Sequence, residues 1–352
     1  MTECHASETV GEPLQAKPIA AADEQPPPDP DGSLRLLFMG TPPFAALSLD
    51  RLLAGPHRVV AVLTRPDRPS GRGRKLRQPA VKELALRHGI EVLQPTDPAD
   101  AGVHSRLRDL RPDLGVVVAY GRILPASLFE LPRLGCINAH ASLLPHLRGA
   151  APIERAIMEG RSESGVSIMR VNAGLDEGDV LLTEKVTLSG QTDGGELRAT
   201  LADLSARLLE RAVQRIANGT ADWTPQDDSL ASWAPALQNE DMRVDWSRDA
   251  VEIDRQVRAF HPRPGAFTTL GDRRLKVLSV EIMADAGAAT TDAAAGEPGR
   301  VLSWERGLLV ACGRGALRLL RVQPEGKKPM DCDSWLRGLG PSSQPSQLGD
   351  ES

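Results

Sequence analysis

Short apolar runs alternate with longer stretches of helically spaced apolar residues along most of this chain. Residues 34–39, Leu-Arg-Leu-Leu-Phe-Met, form an apolar run suited to a central strand. Gly40-Thr41-Pro42-Pro43 turns the chain, 44–53 spaces its apolar residues for a helix, and 59–63 reads as the next strand. This strand–turn–helix–strand rhythm predicts the α/β class, with a doubly wound and mostly parallel sheet. A helix follows over 78–88, ended by Gly89, then a buried strand over 114–120 and a loop over 121–125. Further strands are predicted at 136–140, 166–171 and from 180 to about 188. Asp193-Gly194-Gly195-Glu196 has the spacing of a capping box. It opens a long helix whose stripe of Leu197, Leu201, Leu204, Leu208 and Ile216 is core packing and whose end is Asn218-Gly219.

The pattern then changes. Residues 220–240 are irregular and read as a linker, and 247–260 as a helix. Short strands at 266–270, 274–282, 307–311 and 316–322, separated by Gly-rich turns, predict a small OB-like β-barrel. A loose loop over 284–296 interrupts it. Residues 1–32 carry six prolines and few large apolar side chains, so they read as a disordered acidic extension. The expected organisation is therefore a first domain over 33–219, the linker, a barrel domain over 241–338 and a disordered tail over 339–352.

Composition changes this picture little. The 352 residues are 41% hydrophobic and 25% charged, as expected of a two-domain soluble protein. Aromatics reach only 3%, so the cores rest on Leu, Val, Ile and Ala. No apolar run approaches the roughly 18 residues of a membrane span, and the N-terminus lacks the basic-then-apolar order of a secretory signal. Cys4, Cys136, Cys312 and Cys332 are scattered, which predicts reduced thiols in a cytoplasmic protein. The net charge of −5 arises in the extension, where seven acids oppose one lysine. The barrel region holds 16 basic and 14 acidic residues, too even a balance to indicate a nucleic-acid partner. Residues 65–77 differ, with six bases against one acid among Gly and Pro. Such a stretch is an exposed cationic loop, either merely solvated or contacting phosphates through Arg72, Arg74, Lys75 and Arg77.

The candidate chemistry lies between Asn138 and Asp176. Asn138 and His140 stand two apart at the end of a strand, so their side chains share a face. Asp176 sits in a Gly-bracketed turn between two further strands. An amide, an imidazole and a carboxylate converging at strand ends suit acyl-transfer chemistry. Singly, each residue is an ordinary turn-former or satisfied polar group; together they form a site. The spacing of Cys136, His140 and His146 departs from the paired-cysteine pattern of structural zinc, and no metal is expected. A dinucleotide fingerprint after the first strand is absent.

Asn138-x-His140, Ser142-Leu143-Leu144-Pro145, Arg148-Gly149 and Leu175-Asp176-x-Gly178-Asp179 together resemble the 10-formyltetrahydrofolate-dependent formyltransferases, more narrowly the methionyl-tRNA formyltransferases. The resemblance spans roughly 34–338. It implies a Rossmann-like catalytic domain, a tRNA-binding barrel, and 10-formyltetrahydrofolate as co-substrate with initiator methionyl-tRNA as partner. It makes Asn138, His140 and Asp176 catalytic and lines the folate pocket with Tyr120, Ile123, Leu124, Ser142, Leu143, Leu144 and Pro145. Contact with tRNA falls to the basic loop and to Lys327 and Lys328, in a monomer without membrane association. The same resemblance leaves a formyltransferase acting on an amino sugar or purine precursor, or a formyltetrahydrofolate hydrolase, as alternatives. The chain departs from the family pattern at Arg65 (usually Gln), Ala141 (Gly), Ala236 (Lys) and Arg263 (Trp).

Overall fold

In the computed structural model, residues 32–70, 75–283, 297–339 and 345–349 are described, without the side chains of Ser70 and Lys75. The first domain runs β1 (Arg35–Gly40), α1 (Pro43–Leu53), β2 (Arg58–Leu63), β3 (Arg68–Ser70), β4 (Lys75–Arg77), α2 (Ala80–Arg87), β5 (Glu91–Leu93), α3 (Ala101–Leu110), β6 (Leu114–Val118), α4 (Ala126–Phe129), β7 (Cys136–His140), α5 (Pro152–Met158), β8 (Glu163–Arg170), β9 (Val180–Thr187) and α6 (Gly194–Ala217). Seven strands form one sheet in the order β5-β2-β1-β6-β7-β8-β9. From β5 to β7 the pairing is parallel, whereas β8 and β9 are antiparallel at one edge.

Alternation sends successive residues of β1 into opposite layers. Leu36 and Phe38 pack with Leu49 of α1, Leu84 of α2 and Leu201 of α6. Leu37 and Met39 pack with Leu107 of α3 and Phe129 of α4. Both faces are covered, which is why these central strands read as continuous apolar runs. The predicted capping box forms at α6: Glu196 N–H donates to Asp193 Oδ1 at 2.9 Å, and Asp193 N–H donates back to Glu196 Oε2 at 3.4 Å.

The second domain contains α7 (Asn239–Met242), α8 (Ala250–Phe260), β10 (Ala266–Leu270), β11 (Arg273–Met283), β12 (Val301–Ser303), β13 (Leu308–Ala311), β14 (Ala316–Pro324), β15 (Met330–Asp331) and α9 (Cys332–Arg337). Its antiparallel sheet is ordered β10-β11-β14-β13-β12, with β15 added to β14. It curls as a half-barrel around Ile253, Val257 and Phe260 of α8 and Trp335 of α9. The two domains abut closely. A Cβ at Gly194 would lie 2.2 Å from the Ala259 carbonyl, and the His261 ring meets Asp193 at 2.9 Å.

Two expectations need correction. The tail expected to be disordered is docked over 345–349: Val301 and Gly349 N–H donate to Ser346 and Thr269 carbonyls, and Leu348 is 1% exposed. The segment thereby bridges the two edges that the half-barrel leaves open, β12 and β10, and burial of Leu348 favours that docking. The cationic loop is in part a hairpin, with Arg68 opposite Arg77 and Pro69 opposite Leu76. The N-terminal extension to residue 31, Arg72, Arg74 and the loop 284–296 lie outside the described residues.

One close approach sets the register beside the site. Gly115 of β6 lies opposite Cys136 of β7, and a Cβ there would stand 2.1 Å from Cys136 Sγ. Gly115→Ala should therefore destabilise the protein by about 1–3 kcal/mol through overpacking. Adding Cys136→Ala should restore most of that loss in chemical denaturation; no recovery would place the strain elsewhere.

Candidate functional site

The site is built at the carboxyl end of β7, where the parallel sheet gives way to its antiparallel edge. His140 is the last residue of β7 and is buried. Its Nε2 donates to the Leu147 carbonyl at 2.9 Å, because a carbonyl can only accept. Its Nδ1 faces Asp176 Oδ2 at 3.5 Å, an ionic separation rather than a hydrogen bond. A proton on Nδ1 would give each ring nitrogen an acceptor. Asn138, two residues earlier, shares the strand face of His140 and is half-buried. Its side-chain amide makes no hydrogen bond among the described residues, so its donors remain available.

The loop after β7 folds back over this strand end. Ser142 Oγ donates to the His146 carbonyl at 2.6 Å. Ser167 Oγ of β8 donates to the Ser142 carbonyl at 2.8 Å and accepts from Leu144 N–H at 3.1 Å. Farther along the loop, Gly149 N–H donates to Asp176 Oδ2 at 2.8 Å. Asp176 has φ +55°, in the left-handed region that Asp tolerates better than most side chains. Arg148, 3% exposed, is paired with Gln226 at 2.8 Å and Asp228 at 2.7 Å.

The segment expected to be a plain linker is thus part of the site. Arg148 and Ala151 N–H donate to the Ser232 and Ala234 carbonyls, and Leu147 N–H donates to Ser232 Oγ at 3.0 Å. Gln226, Asp228 and Ser232 were missed because a polar, irregular stretch carries no periodic signal. Arg148 and Gly149 stood inside the recognised motif without an assigned task.

His140 and Asp176 are brought together, with Asn138 on the same strand face. Of the residues expected to line a folate pocket, Leu143, Leu144 and Pro145 are half-buried in the loop and Ile123 is 88% exposed. Leu124 packs partly on the α3–α4 layer. Two are fully buried. Ser142 has its hydroxyl engaged inside the loop, and Tyr120 lies among Leu37, Leu63 and Leu128, where desolvation raises its phenol pKa. Both side chains pack behind the strand end. Arg77, Lys327 and Lys328 are exposed. The base of the hairpin is anchored by Asp67, which accepts from Gln94 at 2.8 Å and from Lys82 at 2.8 Å. These bonds, Gln94's first, hold the Asp67 carboxyl below its ordinary range.

Comparison with known proteins gives a consistent result. The formyl transferase family matches residues 34–213, and the formyl transferase C-terminal domain matches 236–340. The chain is 49% identical over 298 residues to a methionyl-tRNA formyltransferase of Pseudomonas paraeruginosa, covering 84% of this chain and 93% of that protein. A methionyl-tRNA formyltransferase of Pseudomonas fluorescens is 50% identical over 299 residues, covering 85% and 92%. Among solved structures, an N-formyltransferase from Helicobacter canadensis with folinic acid and dTDP-3-aminofucose aligns at TM-score 0.60 and 17% identity, over 81% of this chain and 99% of that one. HypX from Aquifex aeolicus with tetrahydrofolic acid aligns at TM-score 0.57 and 19% identity, over 86% and 47%. At these identities the structures speak for the fold alone.

Among the described residues no cysteine is suited to act as a nucleophile. Burial pushes the Cys136 thiol far up, Cys312 up to about 12 and Cys332 up to about 11. With so little thiolate, all three should resist iodoacetamide in the native protein at pH 8, as read by peptide mass spectrometry. Labelling of Cys136 at the rate of a free thiol would reverse that reading.

Proposed function

The chain belongs to the methionyl-tRNA formyltransferases, and from that premise we propose that it transfers the formyl group of 10-formyltetrahydrofolate to the α-amine of methionine on initiator tRNA. The observation that carries the mechanism is the pairing of the buried His140 at the end of β7 with the half-buried Asp176, with Asn138 on the same strand face. The substrate amine is the nucleophile, so the protein needs none. Attack on the formyl carbon forms a tetrahedral species with an oxyanion. The free amide of Asn138 donates to that oxygen, an interaction worth about 2.7–4 kcal/mol in comparable acyl transfers.

Proton balance assigns the other two residues. The amine loses a proton as its bond to carbon forms, and N10 of the folate gains one as its bond breaks. His140 Nε2 is tied to the Leu147 carbonyl, which fixes the ring and leaves Nδ1 to exchange the proton. Asp176 beside Nδ1 stabilises the protonated ring while the proton is relayed. Ile123, Leu143, Leu144 and Pro145 offer apolar surface at the strand ends, which fits the flat rings of a folate. The basic hairpin with Arg72, Arg74, Lys75 and Arg77, and the turn with Lys327 and Lys328, are assigned to tRNA phosphates. This activity serves translation initiation in the cytoplasm, and no described helix is long and apolar enough to cross a membrane.

Formylation of charged initiator tRNA with 10-formyltetrahydrofolate tests this reading; transfer to a free amino sugar or purine precursor instead would overturn it. Asn138→Ala, His140→Ala and Asp176→Ala should each lower kcat about a hundredfold or more, with little change in KM for tRNA. Replacing Arg72, Arg74, Lys75 and Arg77 together should raise that KM. The slope of log affinity against log salt should flatten by about three units if all four contact phosphate. An unchanged slope and KM would make the hairpin a solvated surface only.

A further inference from the structure

The turn that carries Asp176 is held from outside by one side chain. Gln226 Nε2 donates to the Asp176 carbonyl and to the Gly178 carbonyl, both at 2.8 Å. Gln226 Oε1 accepts from Arg148 Nε at 3.1 Å and Arg148 Nη2 at 2.8 Å. These partners fix the amide orientation, since a guanidinium only donates and carbonyls only accept. Arg148 is buried, and Asp228 Oδ1 pairs with its Nη2 at 2.7 Å. The neighbouring Gly149 N–H holds Asp176 Oδ2 itself at 2.8 Å. The Asp176 carboxylate is thus held by Gly149 and its backbone by Gln226, which Arg148 holds in turn. The grip falls on a turn whose left-handed Asp176 is an uncommon conformation for a residue with a side chain.

We propose that Gln226, backed by Arg148, is a positioning residue that sets the Asp176 carboxylate against His140. The proposal rests on the assignment of Asp176 to the proton relay. Its consequence is that the interdomain connector, beyond joining two domains, supplies part of the geometry of the chemical step. An apolar isostere at 226 removes both donors to the turn, and the Gly149 N–H alone is then left to hold the carboxylate 3.5 Å from His140. Misplacement by about 1 Å can cost on the order of a hundredfold in rate.

The test is a double-mutant cycle on the full chain, assayed by steady-state formylation of charged initiator tRNA. Gln226→Met should lower kcat at least about tenfold while KM for tRNA and for the folate stays within about twofold. In the Asp176→Ala background the same substitution should change kcat by less than about twofold, because a residue acting only through Asp176 has nothing left to position. Equal losses in both backgrounds, or a raised KM with unchanged kcat, would overturn the inference. Near-normal kcat in Asp176→Ala alone would overturn the catalytic assignment and the inference with it, so the two failures are distinguishable. If Gln226→Met melts below the assay temperature, Gln226→Glu keeps the acceptor for Arg148, loses the donors, and should give the same cycle. Wild-type kcat in that variant would likewise overturn the inference.

Discussion

The hydrogen bond from His140 to the Leu147 carbonyl is the constraint from which the rest of the site follows. To place that carbonyl beside the last residue of β7, the chain must turn back within seven residues, and Leu147 takes up φ +58° to do so. The return is held by the Ser142 and Ser167 hydroxyls. It carries Arg148 into the interior, where an unpaired guanidinium would be costly. Gln226 and Asp228 neutralise and bond it, and both belong to the connector. The route of the connector is therefore a consequence of where the histidine is pinned. Gly149 completes the loop: a Cβ there would stand 2.7 Å from the Ala234 carbonyl, and φ +120° suits only glycine.

The polar network explains why the proposed site needs so much supporting structure. None of Asn138, His140 and Asp176 is reactive by itself. In the proposed mechanism their effect depends on an oxyanion donor, a proton carrier and a carboxylate being held in place before substrate arrives. Fixing Nε2 leaves Nδ1 as the ring atom that can exchange a proton, and Asp176 faces that nitrogen alone. The basic hairpin is treated differently. Its base is anchored to the sheet by Asp67, Lys82 and Gln94, while Leu76 and Arg77 further along stand exposed.

Periodicity made the central sheet legible because both faces of β1 and β6 are buried, and the capping box at Asp193 was readable because its two partners are local. The short elements β5, α3, α4 and α5 escaped, being too brief or too polar to show a period. At the site, Asn138 and His140 could be paired from strand alternation, and Asp176 could be joined to them because its Gly-bracketed turn lies between two further strands. Ser142 lies in the family motif and Tyr120 at the end of a strand, but the burial of both depends on packing that no local pattern encodes. The tail was misjudged for a related reason. Leu348 has no apolar neighbours in sequence, and the partners of Leu348 and Gly349, the Gly299 and Thr269 carbonyls, are brought to them only by the curled sheet.

The left-handed Asp176 ties these points together. A carboxylate in an ordinary strand or helix would need no external grip, and its neighbours would be recognisable from local sequence. Here Gly178 lies so close to β8 that a Cβ would stand 2.0 Å from the Arg170 carbonyl, so the turn is pressed onto the sheet from one side. On the other side the Gln226 amide bonds the Asp176 and Gly178 carbonyls. Two carbonyls directed at one amide leave the turn little freedom to pivot, and the side chain inherits that rigidity. Precision at Asp176 therefore comes from contacts 27 to 50 residues away in sequence. For that reason a connector with no periodicity of its own is as much part of the site as the strand that carries His140.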